Sequence, residues 1–289
     1  MSPNTIGALL MMASMAAFTL NDTAIKATGG EVPLFQLLTL RGAVTTTLLL
    51  GLTVALGALR LRIPRGDWAM ILLRMVAEVG AAYFFLSALL NMPIANVTAI
   101  LQVLPLTVTL GGALFFGEQV GWWRWSAIAI GFFGVLLIVR PGPEGFNTYA
   151  LYALIAVAFV TVRDLSTRRI SGTVPSMMVT FVSALGVTLF FGLGSLGTEW
   201  VSVSQTNAGL IGLASGLILF AYLFSVAVMR VGDVSVVAPF RYTGLIWALV
   251  LGWLVFGEWP DTLTLIGAAI VVATGVFTLI RERSVRQGA

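Results

Sequence analysis

Arg74 and Glu78 lie four residues apart in an otherwise apolar run, so on a helix they share a face. A charge at mid-bilayer depth costs about 2.5–3.5 kcal/mol on insertion scales and persists only beside a partner or a water-filled cavity. The two residues therefore either neutralise one another as a structural ion pair or line a cavity. In the second case Glu78 would meet an ammonium or a proton, and Arg74 a carboxylate. Tyr83 stands further along the same run; paired with Tyr222 it would make an aromatic wall. Asn96, Thr98 and Gln102 give the next run a polar stripe, since 98 and 102 differ by one helical turn. Phe240, Arg241, Tyr242 and Trp247 complete the substrate-binding candidates with one cation and an aromatic surface.

A second group suits gating or coupling. Asp22 with Lys26, and Asp164 with Arg168, are i,i+4 pairs that read either as matching gates or as helix-end salt bridges. Arg41 is a further cation within an apolar run. Pro105 and Pro239 each remove a backbone donor and free an upstream carbonyl, which bends a helix. Glu118 and Glu258 follow glycines at helix-joining turns and read as structural caps. The chain has no His and no Cys, which removes the commonest general base, the commonest zinc ligand and all thiol chemistry. No catalytic residue, metal site or cofactor is expected.

The elements that carry these residues are membrane spans. Of 289 residues 58% are hydrophobic and 10% charged, and the mean hydropathy is +1.00. Soluble domains carry about 25% charged residues, so this chain cannot cover a compact surface with polar groups. Ten apolar runs are long enough to cross a bilayer: near 6–28, 33–58, 68–90, 94–116, 122–140, 147–168, 175–196, 206–229, 234–256 and 263–280. They far exceed the alternating ten-residue segments of an outer-membrane barrel, so the spans are helices. The first run lacks a preceding basic residue and a small-residue cleavage site, and is expected to stay as a helix rather than act as a cleaved signal.

Basic residues set the orientation. One face collects Arg60, Arg62, Arg65, Arg124, Arg163, Arg168, Arg169, Arg230, Arg281, Arg283 and Arg286, while the other holds only Lys26 and Arg140. The bias places both termini in the cytoplasm.

The two halves repeat. An offset of 142 superposes Thr19, Asp22, Gly30, Val32 and Pro33 on Thr161, Asp164, Gly172, Val174 and Pro175, with Lys26 on Arg168. An offset of 139 places Ala82-Tyr83 on Ala221-Tyr222, and one of 140 places Phe116-Gly117-Glu118 on Phe256-Gly257-Glu258. The repeats span 1–141 and 142–289. Each holds five runs, an odd number, so the second enters the membrane from the opposite side and the halves are inverted. Secondary transporters use that design, with the substrate at the repeat interface near mid-membrane. A passive bundle is the bland alternative.

The residues carrying the repeat also resemble a known family. Val97 to Pro141, with Pro105, the Phe-Gly-Glu turn and Gly134-Val135-Leu136-Leu137, is similar to the end of an EamA repeat of the drug/metabolite transporter superfamily. Ala238-Pro239-Phe240-Arg241-Tyr242-Thr243, Trp247-Ala248 and Phe256-Gly257-Glu258 resemble the second copy in the ten-helix bacterial branch, as do Asn21-Asp22, Lys26 and Leu40-Arg41 in the first. That branch includes amino-acid exporters and transporters of S-adenosylmethionine or riboflavin. The resemblance implies a central cavity lined by helices 1–4 and 6–9, peripheral helices 5 and 10, and alternating access without ATP.

The expected protein is an all-α integral membrane transporter of a bacterial inner membrane. It would export amino acids or similar small amphipathic metabolites, the cations Arg74, Arg241 and Arg41 favouring a carboxylate. Uptake of S-adenosylmethionine or riboflavin is the first alternative; a passive channel and an intramembrane enzyme are others. Gly192-Leu193-Gly194-Ser195-Leu196-Gly197 matches a dinucleotide fingerprint only in spacing, because an apolar helix and no strand precedes it. No phosphate-binding G-x-x-x-x-G-K-[ST] motif occurs, and no nucleic-acid partner is expected. Gly212 and Gly216 allow close helix approach, within the fold or in a homodimer.

Overall fold

The computed structural model describes residues 2–59, 63–118, 121–140, 147–231 and 234–287. Arg60, Arg62 and the repeat boundary after residue 141 lie outside the described residues. Among the described residues ten helices are long and apolar enough to cross a membrane. They are α1 (Pro3–Lys26), α2 (Leu34–Ala55), α3 (Arg65–Asn91), α4 (Ile94–Phe116), α5 (Trp122–Val139), α6 (Thr148–Arg169), α7 (Ser176–Ser195), α8 (Gln205–Val231), α9 (Ala238–Phe256) and α10 (Thr262–Gln287). The end of the bundle where α1 begins is called here the near end, and the opposite one the far end.

Local chemistry explains the boundaries. The Ser2 side chain accepts the Thr5 N–H at 3.2 Å, and Asn147 that of Tyr149 at 2.9 Å, so α1 and α6 start on capped amides. Pro105 and Pro239 interrupt their helices. α4 breaks at Gln102–Val103 into Ile94–Leu101 and Leu104–Phe116, and α9 opens with the 3-10 stretch Ala238–Tyr242. At the opposite ends of α4 and α9, Gly117 and Gly257 take φ values of 66° and 65°. That left-handed turn, unstrained only for glycine, brings the N–H of Glu118 back to the Gly112 carbonyl and that of Glu258 back to Gly252. It fixes where the two glutamates point.

The packing maps onto itself when the halves are exchanged. α1 packs on α8 and its counterpart α6 on α3; α2 packs on α7 and α5 on α10; α1 also meets α9, as α6 meets α4. A two-fold relation therefore joins the halves. Thr46 and Thr188, separated by the repeat offset of 142, share a hydrogen bond of 2.8 Å where α2 crosses α7, which marks the axis. The odd number of spans per repeat puts that axis in the membrane plane. α5 and α10 cross on Gly134 and Gly267, where a side-chain carbon on Gly134 would lie 2.9 Å from the Gly267 carbonyl oxygen. Exposed Trp122, Trp123 and Trp125 ring the near end, and Trp200 and Trp259 the far end, as an interfacial aromatic belt requires.

Candidate functional site

A cavity opens between α2, α3, α7 and α8. Its α2 and α7 walls are repeat-related position by position: Leu38, Arg41, Gly42 and Thr45 on one side, Thr180, Ser183, Ala184 and Val187 on the other. The chemistry is not symmetric. Arg41, Arg74 and Glu78 put every formal charge of the lining on the first half, whereas the second half supplies Thr180, Ser183, Ile218 and Tyr222. Thr45 lies midway along α2 and Glu78 midway along α3, so the cavity sits at mid-bundle depth.

Behind the lining runs an ion-pair chain. Arg74 Nη2 is 4.0 Å from Glu78 Oε2, and Arg163 Nη1 is 3.5 Å from Glu78 Oε1. Arg163 also donates through Nε to Asp164 Oδ1 at 2.9 Å, and Arg74 donates to the Thr167 hydroxyl at 2.6 Å. Asp22, Tyr222 and Glu78 are the electrostatic neighbours of Arg41, and Asp22 accepts a hydrogen bond from Asn21 at 2.8 Å. Despite these pairings, five buried polar atoms of the lining have no hydrogen-bond partner: Arg41 Nε, Thr45 Oγ1, Arg74 Nε, Glu78 Oε2 and Ser183 Oγ. A buried orphan costs about 1–3 kcal/mol. Five in one cavity are groups that water or a bound ligand would satisfy.

Of the residues singled out by sequence, Arg74, Glu78, Tyr222 and Arg41 meet in this cavity, and the others lie elsewhere. Tyr83 does not face Tyr222: its ring packs edge-on against Phe35 and Phe84, while Tyr222 meets Phe18. Asn96, Thr98 and Gln102 on α4 stay outside the lining, as do Pro105 and Pro239. Phe240 packs beside Met11, Val228 and Val237, and the buried Tyr242 ring lies against Gly275. Arg241, in the 3-10 opening of α9, and Trp247, in the α-helix that follows, are exposed and do not line the cavity. The lining is thus narrower than the eight helices the family resemblance implied.

Neither i,i+4 pair forms. Lys26 is the last residue of α1, so its side chain reaches past the helix end. It meets Glu258 at 2.8 Å and donates to the Met92 carbonyl at 2.7 Å, while Asp22, one turn deeper, faces Arg41. Arg168 likewise pairs with Glu118 at 2.7 Å, and Asp164 with Arg163. Glu118 and Glu258 are therefore more than caps: each binds a cation from the other half. Arg163, counted above with one membrane face, lies inside α6 and is paired with Glu78. Gly212 and Gly216 face open space rather than another helix of the chain.

Sequence reasoning missed Arg163, Thr45, Thr180 and Ser183. A signal existed for Ser183, which the offset of 142 places opposite Arg41. Away from the cavity, Arg140 pairs with Asp261 across the far end of α5 and α10. Partial burial raises the Asp261 carboxyl, but the Thr264 N–H and Arg140 outweigh it and hold the carboxyl below its usual range.

Inverted five-helix repeats around a polar mid-membrane cavity define a multi-pass membrane protein of the transporter class. Comparison with known families gives the particular one: the EamA-like transporter family matches residues 5–140 and again 147–280, and the chain belongs to it and so to the drug/metabolite transporter superfamily. The chain is 27% identical over 194 residues to an S-adenosylmethionine uptake transporter of Rickettsia conorii, a match covering 66% of this chain and 65% of the relative, so it spans somewhat under two thirds of that relative's length. It is 30% identical over 204 residues to a riboflavin transporter of Vibrio cholerae, covering 70% and 68% of the two chains. It is 24% identical over 270 residues to a pseudopaline exporter of Pseudomonas aeruginosa, covering 92% and 93%. A solved crystal structure shares the fold at a TM-score of 0.66 and 20% identity, over 96% of this chain and 99% of the other.

Proposed function

We propose that the chain is a bacterial inner-membrane secondary transporter, with both termini cytoplasmic, that moves solutes bearing an α-amino-acid group by alternating access. Export of free amino acids is the leading reading. The observation that carries it is the set of partnerless atoms in the cavity. Arg41 and Arg74 offer guanidinium donors to a carboxylate, and Glu78 Oε2, which Arg74 approaches only to 4.0 Å and no protein donor hydrogen-bonds, accepts from an ammonium. Thr45 and Ser183 add hydroxyls of either polarity. A zwitterion supplies both missing charges at once, which a purely apolar or purely anionic solute does not.

Uptake of S-adenosylmethionine is the second reading, favoured by relatives that carry that name. The solute has an amino-acid end of its own, so the same groups would hold it. Pseudo-symmetric halves that exchange conformations convert an outward cavity into an inward one without ATP.

The experiment is counterflow in liposomes containing the purified chain. Radiolabelled neutral amino acids should exchange against the unlabelled solute, and amino-acid amides, which lack the carboxylate, should compete poorly. Labelled S-adenosylmethionine in place of amino acids selects the second reading. Absence of counterflow with both solutes would refute the proposal.

A further inference from the structure

Two ion pairs tie the halves together at opposite ends of the bundle, and the repeat relates them. At the far end Lys26 of the first half meets Glu258 of the second at 2.8 Å; at the near end Arg168 of the second half meets Glu118 of the first at 2.7 Å. Offsets of 142 and 140 carry Lys26 onto Arg168 and Glu118 onto Glu258. The surroundings follow the same relation. Lys26 Nζ lies 5.2 Å from the Phe256 ring, and the Arg168 guanidinium 5.8 Å from that of Phe116. Gly117 and Gly257 aim both glutamates through the same left-handed turn.

A duplicated helix bundle needs no charged pair at its ends to stay folded, and a buried pair adds little net stability. Both contacts nevertheless cross from one half to the other, one at each end of the bundle. We infer that Lys26–Glu258 and Arg168–Glu118 are the two gate latches of the transport cycle, opened in turn. Lys26 and Glu258 hold the far gate, Arg168 and Glu118 the near one.

The latches are not in equal states. The far one is deep, with side-chain exposures of 9% and 29%, and Glu258 also accepts the Ile94 N–H at 3.3 Å. The near one is wet, at 44% and 41%. The far latch is thus the more enclosed of the two, and the near one the more open to water.

The inference rests on alternating access but not on which solute is carried. The chain has no Cys, so Ser183→Cys introduces a single thiol in the cavity. Its modification by a membrane-impermeant thiol reagent, added from one side of oriented liposomes at a time, reports each gate. Lys26→Met or Glu258→Gln should raise the far-side rate about tenfold and leave or lower the near-side rate. Arg168→Met or Glu118→Gln should raise the near-side rate. The charge-swapped pair Lys26→Glu with Glu258→Lys should return the far-side rate toward the parent value, which a merely structural role would not require. Size-exclusion profiles identify any variant that fails to fold, and the swap then carries the test. Folded variants with unchanged side-resolved rates, or a swap that restores nothing, would overturn the latch assignment. Altered gating without any solute counterflow would sustain it while refuting the substrate reading.

Discussion

Replacing Arg41 by Gln removes one cation from the cavity while keeping its bulk. Its Nε has no hydrogen-bond partner among the protein atoms, so on the proposed function that donor is available to the solute, while Asp22, Tyr222 and Glu78 are its electrostatic neighbours. A hydrogen bond to a charged group contributes about 1.5–3 kcal/mol net, which is roughly a 10- to 150-fold change in affinity. Arg41→Gln should therefore weaken binding of a carboxylate-bearing solute by that factor. The corresponding amide, which never used the charge, should bind as it does to the parent. Arg41→Lys should recover only part of the loss, because an ammonium lacks the guanidinium fork. Asp22 is an electrostatic neighbour of Arg41, and Asp22→Asn with Arg41→Gln separates loss of solute contact from loss of local charge balance. The assay is equilibrium binding of labelled amino acid to the purified chain, with thermal unfolding as the control for folding. Equal losses for acid and amide, or no loss for either in a folded variant, would refute the reasoning.

Ser183→Leu puts a branched side chain into the cavity opposite Arg41. Counterflow of a bulky amino acid should fall by about tenfold, or ~1.4 kcal/mol, while alanine exchange is spared. Gly117→Ala and Gly257→Ala each force a side chain into a left-handed turn, at about 1 kcal/mol apiece. Each should lower Tm, and the double variant, with sites at opposite ends, should lose roughly the sum. Asp261 has a lowered pKa when folded, from an ordinary value of 3.8. Its stabilisation is present above that value and is lost as pH falls through the folded one. With the side chain 53% exposed, the contribution is at most about 1 kcal/mol. Acidification below about pH 4 should narrow the Tm gap between the parent and Asp261→Asn; a gap that widens on acidification would contradict it.

The spans and the repeat were legible because they are written in local signals. Hydrophobic run length sets a crossing, and Phe-Gly-Glu recurs where each half makes the same left-handed glycine turn. Arg74 and Glu78 were legible as well, since few charges occur inside spans and these share a face. The choice of partner was not. Neighbour spacing favours Asp22 with Lys26, yet the helix ends at Lys26, and its long side chain reaches past that end to Glu258 in the other half. The same limit hid Arg163, whose partner Glu78 is on α3. Arg241 and Trp247 misled for a related reason: a polar or aromatic residue in a span does not reveal which side of its helix faces the bundle, and both are exposed.

Protection of the cavity by a transported solute tests the central claim most directly. Thr45 is buried in the lining and its hydroxyl has no partner, so Thr45→Cys places a lone thiol where the solute should sit. Saturating amino acid should slow alkylation of that thiol several-fold in liposomes that still exchange solute. Alkylation at the same rate with and without saturating solute, in a preparation active in counterflow, would place the solute somewhere other than the cavity between α2, α3, α7 and α8.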